Sequence, residues 1–154
     1  MNILTSNSVS VVYMHLRTTH ATITNDVAEL PDKLAADLIP AGLLPTGPMM
    51  FLYDGVDADP HNEYDLRIAL PISLADSAKY KGPYSSARFE PFHFVETVLH
   101  GDLAELGPKA YEPLIGEITA AGLTMTGYSR EVYQNFVDAS SPDNETRIQI
   151  GVVA

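Results

Sequence analysis

The chain has 154 residues and a mass of 16.7 kDa, enough for one domain with a sizeable core but not for two independent folds. Hydrophobic residues make up 45% and charged residues 19%, a globular composition that excludes a disordered tail. Only 9 Lys and Arg stand against 20 Asp and Glu, and the net charge of -11 disfavours phosphate backbones and anionic membranes while favouring cationic partners.

No cysteine is present, so disulfides, zinc–thiolate and iron–sulfur sites and a cysteine nucleophile are excluded. Residues 1–16 hold no Lys or Arg and are interrupted by Asn2, Thr5, Ser6 and Asn7, so no secretory signal is expected. The longest apolar cluster, residues 49–53, is strand-sized and too short to span a bilayer. A cytoplasmic location is the expectation.

The first predicted strand covers residues 9–16, rich in β-branched and aromatic side chains. Ile23, Val27, Leu30, Leu34 and Leu38 then recur at helical spacing, and Pro31 inside the pattern marks a start or a bend. Gly42 is placed to cap that helix. Strands follow at 48–54 and 63–71, separated by a turn-rich stretch at 55–62. Residues 73–91 read as a connecting loop with a short strand at its end. A strand at 92–99 runs into His100-Gly101-Asp102, where Gly permits a turn and Asp can cap the next helix. Leu103, Leu106, Ala110, Leu114, Ile115 and Ile118 carry that helix to a cap at Gly122, and strands at 128–135 and 145–153 complete the chain.

The two halves read alike because the sequence repeats itself at an offset of 80 residues. Ala41-Gly42-Leu43 returns as Ala121-Gly122-Leu123, Thr46-Gly47 as Thr126-Gly127, Tyr53 as Tyr133, and Arg67-Ile68 as Arg147-Ile148. Without gaps, the repeats are about 9–73 and 91–154 of a single domain. The predicted fold class is α+β: a duplicated strand–helix–strand–strand unit forming an antiparallel sheet, with two helices on one face and a ligand groove on the other.

Certain residues of this pattern resemble a known family. In the second half these are His100-Gly101, Ala120-Ala121-Gly122-Leu123, Thr126-Gly127, Glu131-Val132-Tyr133 and the closing Glu145-Thr146-Arg147-Ile148-Gln149-Ile150-Gly151-Val152. In the first half they are Gly47-Pro48, Phe51, Tyr53 and the run from Asp65 to Ile72. Together they resemble the GyrI-like small-molecule-binding domain, the effector-binding domain of AraC-type and multidrug-sensing regulators. The superfamily also includes gyrase inhibitory proteins and cyclopropanoid hydrolases. The His-Gly spacing departs from the family's common form, and Gly151 stands where the family's closing strand carries proline.

The resemblance implies that Glu131, in the Glu-x-Tyr strand, sits at the floor of the groove and pairs with cationic, often aromatic, ligands. Residues two apart on a strand face one way, so Tyr133 shares the surface of Glu131, and Phe51 and Tyr53 share the duplicated one. A carboxylate among rings suits a lipophilic cation, because the carboxylate supplies charge and the rings supply apolar area and cation–π attraction. Met14 and Phe94, equivalent under the repeat, are expected to line groove or core.

The leading reading is therefore a stand-alone effector-sensing protein that binds an amphipathic small molecule, cationic or aromatic, with no cofactor, no metal, no membrane and no direct nucleic-acid contact. The first strand begins by about Val9, which leaves no room for a helix-turn-helix. A hydrolase of strained electrophiles using Glu131 and Tyr133 is the enzymatic alternative. A gyrase-inhibitor-like module engaging a protein partner is the third. The five histidines, at positions 15, 20, 61, 93 and 100, form no metal-ligand spacing, and no Gly-x-Ser-x-Gly elbow occurs.

Overall fold

In a computed structural model describing residues 1–154, the β-branched and apolar runs form eight strands. These are β1 (Leu4–Thr5), β2 (Val9–Thr18), β3 (Met50–Asp54), β4 (Tyr64–Pro71), β5 (Ser85–Phe89), β6 (His93–His100), β7 (Met125–Asn135) and β8 (Glu145–Val152). They make one antiparallel sheet in the order β1-β6-β8-β7-β3-β4-β2-β5. The order is symmetric about its middle. In each half the last strand lies between the other two, and β3 pairs with β7 to join the halves.

Both predicted helices form, but neither is regular. The first breaks into α1 (Ile23–Val27) and α2 (Leu30–Leu38), with Ala28 at φ 34 between them and Pro31 in the first turn of α2. Proline lacks the N–H a helix interior needs but tolerates a first turn, so it selects the break. The second begins at Asp102, whose carboxylate accepts from the Ala104 amide at 2.9 Å. It then runs through a 3₁₀ turn (Leu103–Glu105) and a π-helical turn (Leu106–Tyr111) into α4 (Glu112–Ala120). Gly42 and Gly122 cap the helices at φ 80 and 70, a region in which a Cβ would be strained.

Where the sequence predicts loop, the connector also holds a helix, α3 (Leu74–Lys79). Its cap is Ser73, whose side chain accepts from the Asp76 amide at 3.0 Å. The short strand expected at the connector's end is β5, which adds to the edge of β2, while β1 adds to the edge of β6. Each half therefore borrows its edge strand from the segment leading into the other half.

Both helices cover the same sheet face. Leu34 and Leu38 of α2 pack with Val12, Phe51, Leu66 and Ile68, and Leu114 and Ile118 of α4 pack with Val95, Ile148 and Ile150. Burying each such side chain stabilises the fold by roughly 1.5–3 kcal/mol. The opposite face has a smaller apolar cluster of Val11, Met50, Leu52 and Ala69. No helix is long and apolar enough to cross a membrane.

Candidate functional site

Glu131 is at the middle of β7 and is only 5% exposed. Its neighbours in register are Phe51 on β3 and Ile148 on β8, both of which face the helices. The carboxylate thus lies on the helix-covered face, between the α2 and α4 halves, and not on the opposite face where the ligand groove was expected. The alternation in β3 could not reveal this. Met50, Phe51, Leu52 and Tyr53 are all buried, so both faces of that strand read as apolar.

Three tyrosine hydroxyls converge on the buried carboxylate. Tyr53 donates to Oε1 at 2.9 Å, and Tyr133 donates to the same oxygen at 2.7 Å. Tyr111, the last residue of the π-helical turn, donates to Oε2. Burial and then the Glu131 charge push the phenols of Tyr53, Tyr111 and Tyr133 well above the usual tyrosine range. All three therefore stay protonated donors across the physiological range. Tyr64 lies behind them, its ring 5.6 Å from that of Tyr53, and burial followed by the Glu131 charge pushes its hydroxyl up to about 12.

Aromatic rings wall the carboxylate. Phe51 meets Tyr133 edge-on at 5.1 Å, and Tyr133 meets Phe136 at 6.3 Å. No cation approaches within ion-pair distance: the chain's ion pairs engage Asp65, Glu63, Asp37, Glu105 and Glu96, never Glu131. A buried carboxylate held only by neutral hydroxyls is an unusual and costly arrangement, since buried charges are ordinarily paired.

No family model and no curated protein matches the chain. Solved structures do. EcmrR in its DNA complex superposes with a TM-score of 0.77 at 18% identity, over 98% of this chain and 56% of EcmrR, so the chain spans little more than half of that regulator. The isolated EcmrR C-terminal domain matches equally well, with 99% of this chain and 96% of that one covered. SAV2435 bound to tetraphenylphosphonium matches at a TM-score of 0.67 and 16% identity, over 99% and 93% of the two chains. The chain has the GyrI-like fold.

Within this GyrI-like fold, Glu131, Tyr133, Phe51 and Tyr53 come together as one cluster. Met14 joins their face, half-buried against the same core and in register with Ile68, which is in register with Phe51. Phe94 does not. It is buried on the other face, stacked on Phe92 at 5.0 Å. The residue on β6 that matches Met14 is Thr97, paired with Ile148 as Met14 is paired with Ile68. The offset between the first strands is thus 83 residues (Met14 to Thr97), against 80 for the helices and later strands. The ungapped comparison put Phe94 three residues out of step and so on the wrong face.

Tyr111 and Tyr64 were missed from the sequence. Tyr111 is three residues before Leu114, which puts the two on neighbouring helix positions. Tyr64 is two before Leu66 on a strand, and so shares its face. Both spacings were legible, but neither residue has a tyrosine at its repeat-related position to draw attention to it.

Proposed function

We propose that the chain is a small-molecule-binding module whose ligand is a lipophilic, amphipathic cation, with Glu131 as its counter-ion. The observation that carries this reading is a buried carboxylate surrounded by rings and lacking any cation of its own. The charge is already desolvated and oriented, so a cation entering the aromatic cluster gains attraction without further desolvation of the acid. The likeness to SAV2435, which was solved with tetraphenylphosphonium, supports the same chemistry. Ligand entry requires the tyrosine lid to part. Tyr111 is suited to this, because its hydroxyl reaches Glu131 from a π-helical turn, a conformation that recurs at functional sites.

Hydrolysis is the second reading, supported by a structural likeness to the hydrolase encoded by lin2189 from Listeria innocua, at a TM-score of 0.57 and 13% identity. Against it, both oxygens of Glu131 already accept from tyrosine. As a general base the carboxylate would have to shed a donor before taking a proton from water.

The test is a thermal-shift panel of lipophilic cations and their uncharged counterparts, with bound compound recovered and weighed by mass spectrometry. Cations that raise the melting temperature and emerge intact support binding. Cations that emerge altered support hydrolysis, and a panel without effect on wild type overturns both.

A further inference from the structure

A file of aromatic rings runs past Glu131 on the helix-covered face. Between ring centres, Tyr64 lies 5.6 Å from Tyr53, Tyr53 lies 6.5 Å from Phe51, Phe51 lies 5.1 Å from Tyr133, and Tyr133 lies 6.3 Å from Phe136. One end of the file is closed: Tyr64 is buried, and its hydroxyl shares a hydrogen bond of 3.3 Å with His20 Nδ1. The other end is open. Of the chain's eight tyrosines and five phenylalanines, Phe136 alone is exposed, at 53%.

A single exposed apolar side chain is ordinary on a protein surface. Phe136 differs because its backbone is held on both sides. Before it, Asn135 donates to the Asp143 carbonyl at 2.8 Å. After it, the buried Asn144 side chain accepts from the Val137 amide at 2.9 Å and donates to the Asp138 carbonyl at 2.6 Å. The same loop is tied to the turn that opens the helix bearing Tyr111. Its Ala139 carbonyl accepts from the Leu103 amide and its Asn144 carbonyl from the Gly101 amide, both at 2.9 Å. The phenyl ring therefore stands at a fixed place, against the tyrosine that donates to Glu131.

The charge of this segment suits the same ligand. Residues 131–146 include no Lys or Arg, and the loop carries Asp138 and Asp143. A cation arriving past Phe136 meets no like charge on that segment.

We infer that Phe136 is the outer ligand contact of the Glu131 site, and that it selects cations whose aromatic body extends from the carboxylate to the protein surface. The inference rests on the cation-binding reading and adds a specificity residue to it. Glu131 supplies the charge, Tyr133 links it to the surface, and Phe136 still has apolar area to bury against rings that reach outward.

The experiment is calorimetry on the whole chain with tetraphenylphosphonium and with tetraethylammonium, which has the charge without rings. Wild type is compared with Phe136→Ala, Phe136→Tyr and Glu131→Gln. The expected result is tighter binding of tetraphenylphosphonium than of tetraethylammonium to wild type. Phe136→Ala should lose about tenfold in affinity for tetraphenylphosphonium alone, and Phe136→Tyr should recover it. Without ligand, Phe136→Ala should melt as wild type does, since the ring it removes is exposed. Four results overturn the inference: no binding of tetraphenylphosphonium to wild type, equal wild-type affinity for the two cations, unchanged affinity in Phe136→Ala, or a loss that Phe136→Tyr fails to recover. Affinity lost in Glu131→Gln and kept in Phe136→Ala leaves the cation reading standing without this one. Affinity lost in Phe136→Ala and kept in Glu131→Gln supports Phe136 as a contact and removes Glu131 as counter-ion.

Discussion

Phe51 and Glu131 face each other directly across the β3–β7 pair, and they are also the equivalent positions of the two halves. The middle of the sheet's symmetry therefore runs between a phenyl ring and a carboxylate. At the one place where a symmetric sheet would bring two like residues together, this chain puts unlike ones. Two carboxylates there would repel, and two phenyl rings would offer no charge. One of each makes a polar floor with an aromatic flank.

The cost of that arrangement is testable without a ligand. Replacing Tyr111 by Phe removes the donor to Oε2 and leaves half of a buried carboxylate unsatisfied. The expected loss of stability is about 1–3 kcal/mol, read by urea unfolding. A loss near zero would mean that water reaches Oε2 freely.

Glu131→Gln should act differently. The amide oxygen still accepts from tyrosine and the buried charge is gone, so the ligand-free stability should stay within about 1 kcal/mol of wild type. Unfolding curves check this, and a collapse of the fold would show that the carboxylate is a structural hub instead.

Alkaline titration probes the same cluster. Tyr53, Tyr111 and Tyr133 have pKa values raised by burial and by the Glu131 charge, so the folded state favours their protonated forms. Their contribution to stability is complete below the unfolded tyrosine value of about 10 and is lost as pH rises through the raised values. Stability should therefore fall above about pH 10. Tyrosinate absorbance from these three should appear only together with loss of the circular dichroism signal. Their ionisation near pH 10 in a folded chain would refute the buried network.

The fold offers its own check at Gly151, on β8. A Cβ there would come within 2.6 Å of the Tyr128 carbonyl oxygen, beside the irregular pairing between Met125 and Ser129. Backbone cannot swing aside as a side chain can, so Gly151→Ala should destabilise by about 1–3 kcal/mol. A neutral effect in thermal unfolding would show that β7 and β8 are looser than the register implies.

Much of this was legible in the chain itself. Seven of the eight strands, the extent of both helices and the glycine caps follow from apolar period and turn chemistry, because those signals are local. What failed was the assignment of faces. The apolar run from Met50 to Tyr53 is buried on both sides, so alternation could not say which side meets the helices. Phe94 was misplaced because three residues between the first strand and the helix of one half have no counterpart in the other. Leu4–Thr5 is too short to register as a strand and exists only because the edge of β6 accepts it. Tyr111 reaches the carboxylate from the helix, and Tyr64 backs the cluster from β4 through the Tyr53 ring, a convergence that tertiary packing alone creates.

The central claim is that Glu131 serves as counter-ion to a cation, and calorimetry with tetraphenylphosphonium tests it most directly. Wild type and Glu131→Gln are titrated side by side, with uncharged triphenylphosphine oxide as the control. The account predicts saturable binding of the cation to wild type, an affinity loss of about tenfold or more in the variant, and weak binding of the oxide to both. Equal affinity of the cation for both proteins, or no binding to either, would contradict it.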